Sequence, residues 1–125
     1  MKILLLATIL LSTVIVGSLL VHNYIQDTAV GFTEHIEEIE ALVDEEMWDD
    51  AKKEMNLFKK DWEKNIKFWM TTTGHEEIDN IEKNLIESYN YINLESRESL
   101  VKLALLKYFF EHIYTKEKVN LHNLF

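Results

Sequence analysis

The sequence predicts an all-α fold, with an N-terminal transmembrane helix continuing into an antiparallel helical bundle of three to four helices. Three observations predict it. The chain has no proline and only three glycines, Gly17, Gly31 and Gly74, so little in it breaks a helix. Apolar residues recur at spacings of three and four, and strand-like alternation is nowhere evident. The stretch Ile3 to Val21 carries no charge over nineteen residues, which at ~1.5 Å per residue makes about 28 Å of helix, close to one hydrocarbon core.

That stretch divides the chain into residues 1–24, a membrane anchor, and 25–125, an acidic helical bundle. The polar residues between Ile3, Leu10 and Val21 are hydroxyls, which hide in hydrocarbon by bonding to a carbonyl one turn back. A cleaved signal peptide is the competing reading, but its apolar core is shorter and ends in a small-x-small site. Here His22-Asn23-Tyr24-Ile25 offers no such site, and Val16-Gly17-Ser18 lies within the run. Lys2 precedes the run and the next basic residue is Lys52. The expected topology is therefore single-pass in the cell membrane, N-terminus cytoplasmic and bundle extracytoplasmic. Tyr24 stands where an interfacial aromatic belongs.

Past the anchor lie all 22 acidic residues and 12 basic ones, a net charge of −10. Nucleic acid and anionic headgroups repel such a surface, so no nucleic-acid partner is expected. The absence of cysteine removes disulfides, thiolate metal sites and cysteine nucleophiles.

The first helix is expected to run on to about Glu46, with Phe32, Ile36, Ile39 and Val43 as a narrow apolar stripe and a possible hinge at Gly31. The second begins near Trp48. Trp48, Ala51, Met55, Phe58, Trp62, Ile66 and Trp69 fall on one face, while Leu57 and Phe68 point the other way. Thr71-Thr72-Thr73-Gly74 reads as a break, with Gly74 suited to a left-handed cap and Thr73 to Glu76 at capping-box spacing. The third helix spans about His75 to Ile92, with Ile78, Ile81, Leu85, Tyr89 and Ile92 on one side. After a turn at Asn93–Ser96, the fourth runs from about Arg97 to Tyr114. Leu103, Phe110 and their neighbours make it apolar nearly all round, so it is either the most enclosed helix or the one holding a partner surface. Val119 to Phe125 is expected to fold back onto the core.

Taken together, the chain resembles a bacterial family, domain of unknown function 4363. The resemblance rests on the short membrane segment, Met47-Trp48-Asp49-Asp50-Ala51, Trp62, Trp69, His75 to Glu82, His112-Ile113, and Val119-Asn120-Leu121-His122-Asn123-Leu124. It implies a small anchored helical protein of the kind found in clostridia and related bacteria, and brings no catalytic residues. Trp48-Asp49-Asp50-Ala51 also looks like the turn between tetratricopeptide helices, but these helices are too long for that repeat.

Chemistry is sparse. No serine outside the membrane segment has an elbow-like glycine context, and no glycine-rich phosphate loop occurs. The sequence thus predicts a non-enzymatic protein with no cofactor. The tryptophans at heptad spacing read as core or partner face, with Trp48, Phe58, Trp62, Trp69, Leu103 and Phe110 carrying it. His75, Asp79 and Glu82, at i, i+4 and i+7, could join His112 in holding a divalent metal, against a plainer reading as a polar helix start. The favoured expectation is an interaction or accessory subunit that partners an integral membrane or envelope protein, with homo-oligomerisation possible. A metal or small-ligand sensor built on His75, Asp79, Glu82 and His112 is the alternative.

Overall fold

In a computed structural model the chain forms four helices: α1 (Lys2–Asp44), α2 (Trp48–Thr72), α3 (His75–Asn93) and α4 (Ser99–Leu124). The structure describes residues 1–124, with side chains through Ile113 and that of Thr115. Connections of two to five residues force neighbours to run antiparallel. Cross-helix contacts follow that register, with Phe32 beside Phe58, Trp62 opposite Glu82, and Lys107 reaching Glu40. Each helix packs against the next and α4 closes on α1, so α1 and α3 lie diagonally, as do α2 and α4.

The middle of the bundle is aromatic. Phe32, Phe58, Trp62, Trp69 and Phe110 come from three helices, and Phe110 meets the other four with ring centroids 5.0–6.1 Å apart. Stacked and edge-on pairs of this kind add about 0.5–1.5 kcal/mol each beyond the area they bury. Around this layer Ile25, Ile36, Ile39, Val43, Met55, Ile81, Ile92, Leu103 and Leu106 are closed to solvent. The predicted stripes on α1, α2 and α3 are those that face inward. Trp48, Ile66 and Tyr89 are partly buried at their margins.

Helix α1 passes through Gly31 without a break. Its end and that of α3 share one device. Glu46 N–H donates to Val43 O (2.9 Å) and Met47 N–H to Leu42 O (2.9 Å), while Glu95 and Ser96 repeat the pattern on Ile92 and Tyr91. This double closure turns the chain through a left-handed residue, usually glycine. Here Glu46 (φ 58) and Glu95 (φ 54) occupy those positions.

The structure corrects four local expectations. Gly74 has φ −62 and is the N-cap of α3, not a left-handed cap. The carboxylate of Glu77, not that of Glu76, folds back over the helix start beside it, where a Cβ would only push that flexible side chain aside. Phe68 does not point away but packs edge-on against Tyr24 at 4.7 Å, leaving Leu57 exposed. Helix α4 does not stop at Tyr114, because Lys116-Glu117-Lys118 are good helix formers. The expected fold-back of Val119 to Phe125 concerns side chains outside the described ones. Finally, α4 is not enclosed on every side along its described side chains. Leu103, Leu106, Phe110 and Ile113 face inward, while Val101, Ala104, Leu105 and Tyr108 are exposed.

Candidate functional site

The apolar run is the first part of α1, and its central turns touch nothing else in the chain. Residues 2–16 are exposed throughout, and the helix is long and apolar enough to cross a membrane, as an anchor or a signal sequence can be. Thr8 and Thr13 donate their hydroxyls to Leu4 O and Ile9 O at 2.8 Å, which removes their need for water. Burial begins at His22 and Ile25, so membrane-competent segment and bundle core are parts of one helix.

Among the sequence-predicted ligands, His75 and Asp79 are exposed on the first turns of α3. Glu82 is half-buried and accepts a hydrogen bond from the Trp62 indole. His112 lies exposed on α4, its ring stacked on Tyr108 with centroids 6.1 Å apart. These four do not come together as a group of ligating atoms; among the described residues the triad that does is His35, Glu38 and Glu54. His35 Nε2 lies 2.9 Å from Glu54 Oε2, joining α1 to α2, and all three ligating atoms fall within 4.8 Å of one another. The ring of His35 also rests against Phe58. One imidazole and two carboxylates suit zinc or manganese, with coordination positions left for water.

Sequence reasoning missed this group, although half of it was readable. His35 and Glu38 sit one turn apart on the same helix. Glu54 joins them because the α1–α2 connection pairs residues symmetrically about position 44–45, as the contact of Tyr24 with Asn65 also shows. The sequence already puts that turn in the acidic stretch, but the register that brings Glu54 to His35 depends on how the two helices pack.

Two further surfaces remain. Between α2 and α3, Lys59, Trp62, Glu82, Leu85, Ile86 and Tyr89 line a cleft of about 280 Å³, with Lys59 Nζ 4.6 Å from the centre of the Tyr89 ring. Lys59 is held there by cation–π attraction, and Glu82 by Trp62. On the outside of α4, Val101, Leu105 and Tyr108 form a stripe one helical turn per step, 61%, 40% and 57% exposed. The ion pairs beside it are Lys102–Glu87 (2.6 Å) and Lys107–Glu40 (2.8 Å). Glu87 is held below the usual carboxylate range by its hydrogen bond from Lys102, and both lysines are raised by their carboxylate partners.

Fold and surfaces together define a small up-down-up-down four-helix bundle whose first helix projects an apolar extension. The chain belongs to the family described as Domain of unknown function (DUF4363), whose model matches residues 19–124. That match covers the bundle and the last turn of the apolar run. No curated protein and no solved structure matches the chain.

Proposed function

We propose that this protein is a non-enzymatic, membrane-anchored accessory subunit, single-pass with its N-terminus cytoplasmic and its bundle on the outer face. The observation that carries the reading is the unbroken α1, in which an exposed apolar run leads without a joint into core positions His22, Ile25 and Ala29. Cleavage after Ser18 would leave those positions on a frayed helix start, whereas retention keeps α1 intact. Partner binding is supported by the α4 stripe of Val101, Leu105 and Tyr108, which stays uncovered within the bundle. An integral membrane or envelope protein is the partner this surface suits, since the anchor holds it beside the bilayer. Alkaline carbonate extraction tests the anchor: the full-length protein is expected in the membrane pellet. Crosslinking in intact cells tests the partner, and Leu105→Asp with Tyr108→Asp is expected to abolish the crosslinked species. Recovery of the protein alone, or of a self-crosslinked form, would count against an accessory role.

A second reading, metal sensing, is favoured by His35, Glu38 and Glu54 and not by the residues the sequence suggested. It predicts that zinc raises the melting temperature of the wild type, that chelator reverses this, and that His35→Ala abolishes the response. A melting curve indifferent to zinc sinks it.

A further inference from the structure

The apolar run and the bundle overlap along α1, and that overlap has a geometric consequence. Phe68 of α2 packs on Tyr24, and one turn further Thr72 borders an open cleft with Val14, Gly17, Ser18, Val21 and His22. The end of α2 thus stands alongside the last turns of the uncharged run. From Ile3 to Val14 the free helix measures about 18 Å, whereas a hydrocarbon core is about 30 Å thick. Only by counting to Val21 and slightly beyond does α1 fill that thickness, and at that level the α2–α3 connection is already present. Tilting the helix would shorten its projection and worsen the mismatch.

The last turn of α2 and the connection after it have the chemistry this position demands. Phe68 to Gly74 is seven residues without a charge. Met70 is 45% exposed, so an apolar side chain already stands outward. Thr71 and Thr72 donate their hydroxyls to Phe68 O at 2.6 and 3.3 Å, the same self-satisfaction that Thr8 and Thr13 show within the run. Tyr24, an amphipathic ring of the kind that settles at headgroup level, flanks it.

Resting on the anchor reading, we infer that the bundle tip, Phe68 to Gly74, sits in the interfacial layer of the bilayer and contacts lipid directly. The protein then has two membrane contacts, a span and a tip. The partner is the boundary between headgroups and acyl chains, bound through uncharged contacts and independent of anionic lipid. Two contacts fix the orientation of the bundle, which directs the Val101, Leu105 and Tyr108 stripe sideways, along the membrane surface.

The chain has no cysteine, so single cysteines report position directly. Leu10→Cys, Met70→Cys and Asp49→Cys would each be spin-labelled in the full-length protein, reconstituted in phosphatidylcholine vesicles. Collision with lipid-partitioning oxygen is then compared with collision with a water-soluble nickel chelate. The expected result is a label at 10 deep in lipid, a label at 70 shielded from nickel several-fold relative to 49, and a label at 49 fully aqueous. Thr71→Cys repeats the measurement at the neighbouring position. If 10 is deep but 70 and 71 are as aqueous as 49, the tip contact is refuted while the anchor stands. If 10 is itself aqueous, the anchor reading falls and the tip contact with it.

Discussion

At the end of the bundle that carries the α1–α2 and α3–α4 connections, Asp44, Glu45, Glu46, Asp49, Asp50, Glu95 and Glu98 crowd into the two connections and the helix ends beside them. At the opposite end, the last turn of α2 and the two-residue connection to α3, Phe68 to Gly74, carry no charge, the nearest being Lys67 and Glu76. The charged end is braced from outside. Arg97 reaches Asp44 Oδ1 at 2.9 Å and the Asp44 carbonyl at 3.1 Å, and Lys52 reaches Glu95 at 3.2 Å. The uncharged end is closed from inside, by Trp69, Phe68 and threonine hydroxyls bonded to their own helix. The difference teaches that this bundle is polarised along its axis. One end is made for water and the other is compatible with a less polar surrounding.

The largest test falls on the aromatic layer that joins the two ends. Phe110→Ala should cost about 3–5 kcal/mol, because it removes a ring that four others contact and leaves a cavity. Chemical denaturation would read this, and both ends should unfold together. A transition that splits in two would break the picture of one cooperative core.

Each end also stores a removable cost. At the charged end, Glu46→Gly should stabilise by about 1 kcal/mol, since glycine meets no Cβ penalty at a left-handed position, and Glu95→Gly by less, because it also gives up the ion pair with Lys52. At the uncharged end Thr73 Oγ1 is buried with no hydrogen-bond partner, as is Ser88 Oγ within α3. Thr73→Val and Ser88→Ala should therefore be neutral to stabilising, by up to about 1 kcal/mol. Thermal melts of the four variants would check this, and a drop of several degrees at Thr73→Val would show that its hydroxyl has a use.

Bracing charges give smaller effects. Arg97→Ala should cost about 0.5–1 kcal/mol, given that both partners are half-exposed. The pH response carries a definite sign. Glu87 has its pKa lowered from 4.5, so its contribution is present above that pH and fades as pH falls through the folded value. Lys102 and Lys107 have pKa values raised from 10.5, so theirs is complete below that pH and is lost as pH rises through the folded values. These three groups add no slope between those limits, and Glu87→Gln should show a shallower acid limb in melting temperature against pH.

Much of the architecture was legible in the residues. The helix starts near Trp48 and His75, the buried stripes of α1, α2 and α3, and the self-bonded hydroxyls of the run all follow from spacing and side-chain chemistry. These are local properties, fixed within a turn or two of helix. Even the family resemblance rested on such local features, and the family match covers the bundle they build.

What the sequence alone determined is therefore a set of helices, their inward faces, and an uncharged leader long enough to span. Which residues meet was decided only by the tertiary structure. The ligating group formed around His35 and Glu54 and not around His75, because hairpin register, not sequence distance, sets cross-helix neighbours. Helix α4, apolar on nearly every side, was ambiguous until α1 and α3 took one face and left Val101, Leu105 and Tyr108 outside. The overlap of the α2 tip with the end of the uncharged run was equally invisible. Periodicity assigns a face to each helix but says nothing of how far one helix slides along another, and packing of side chains from both fixes that distance.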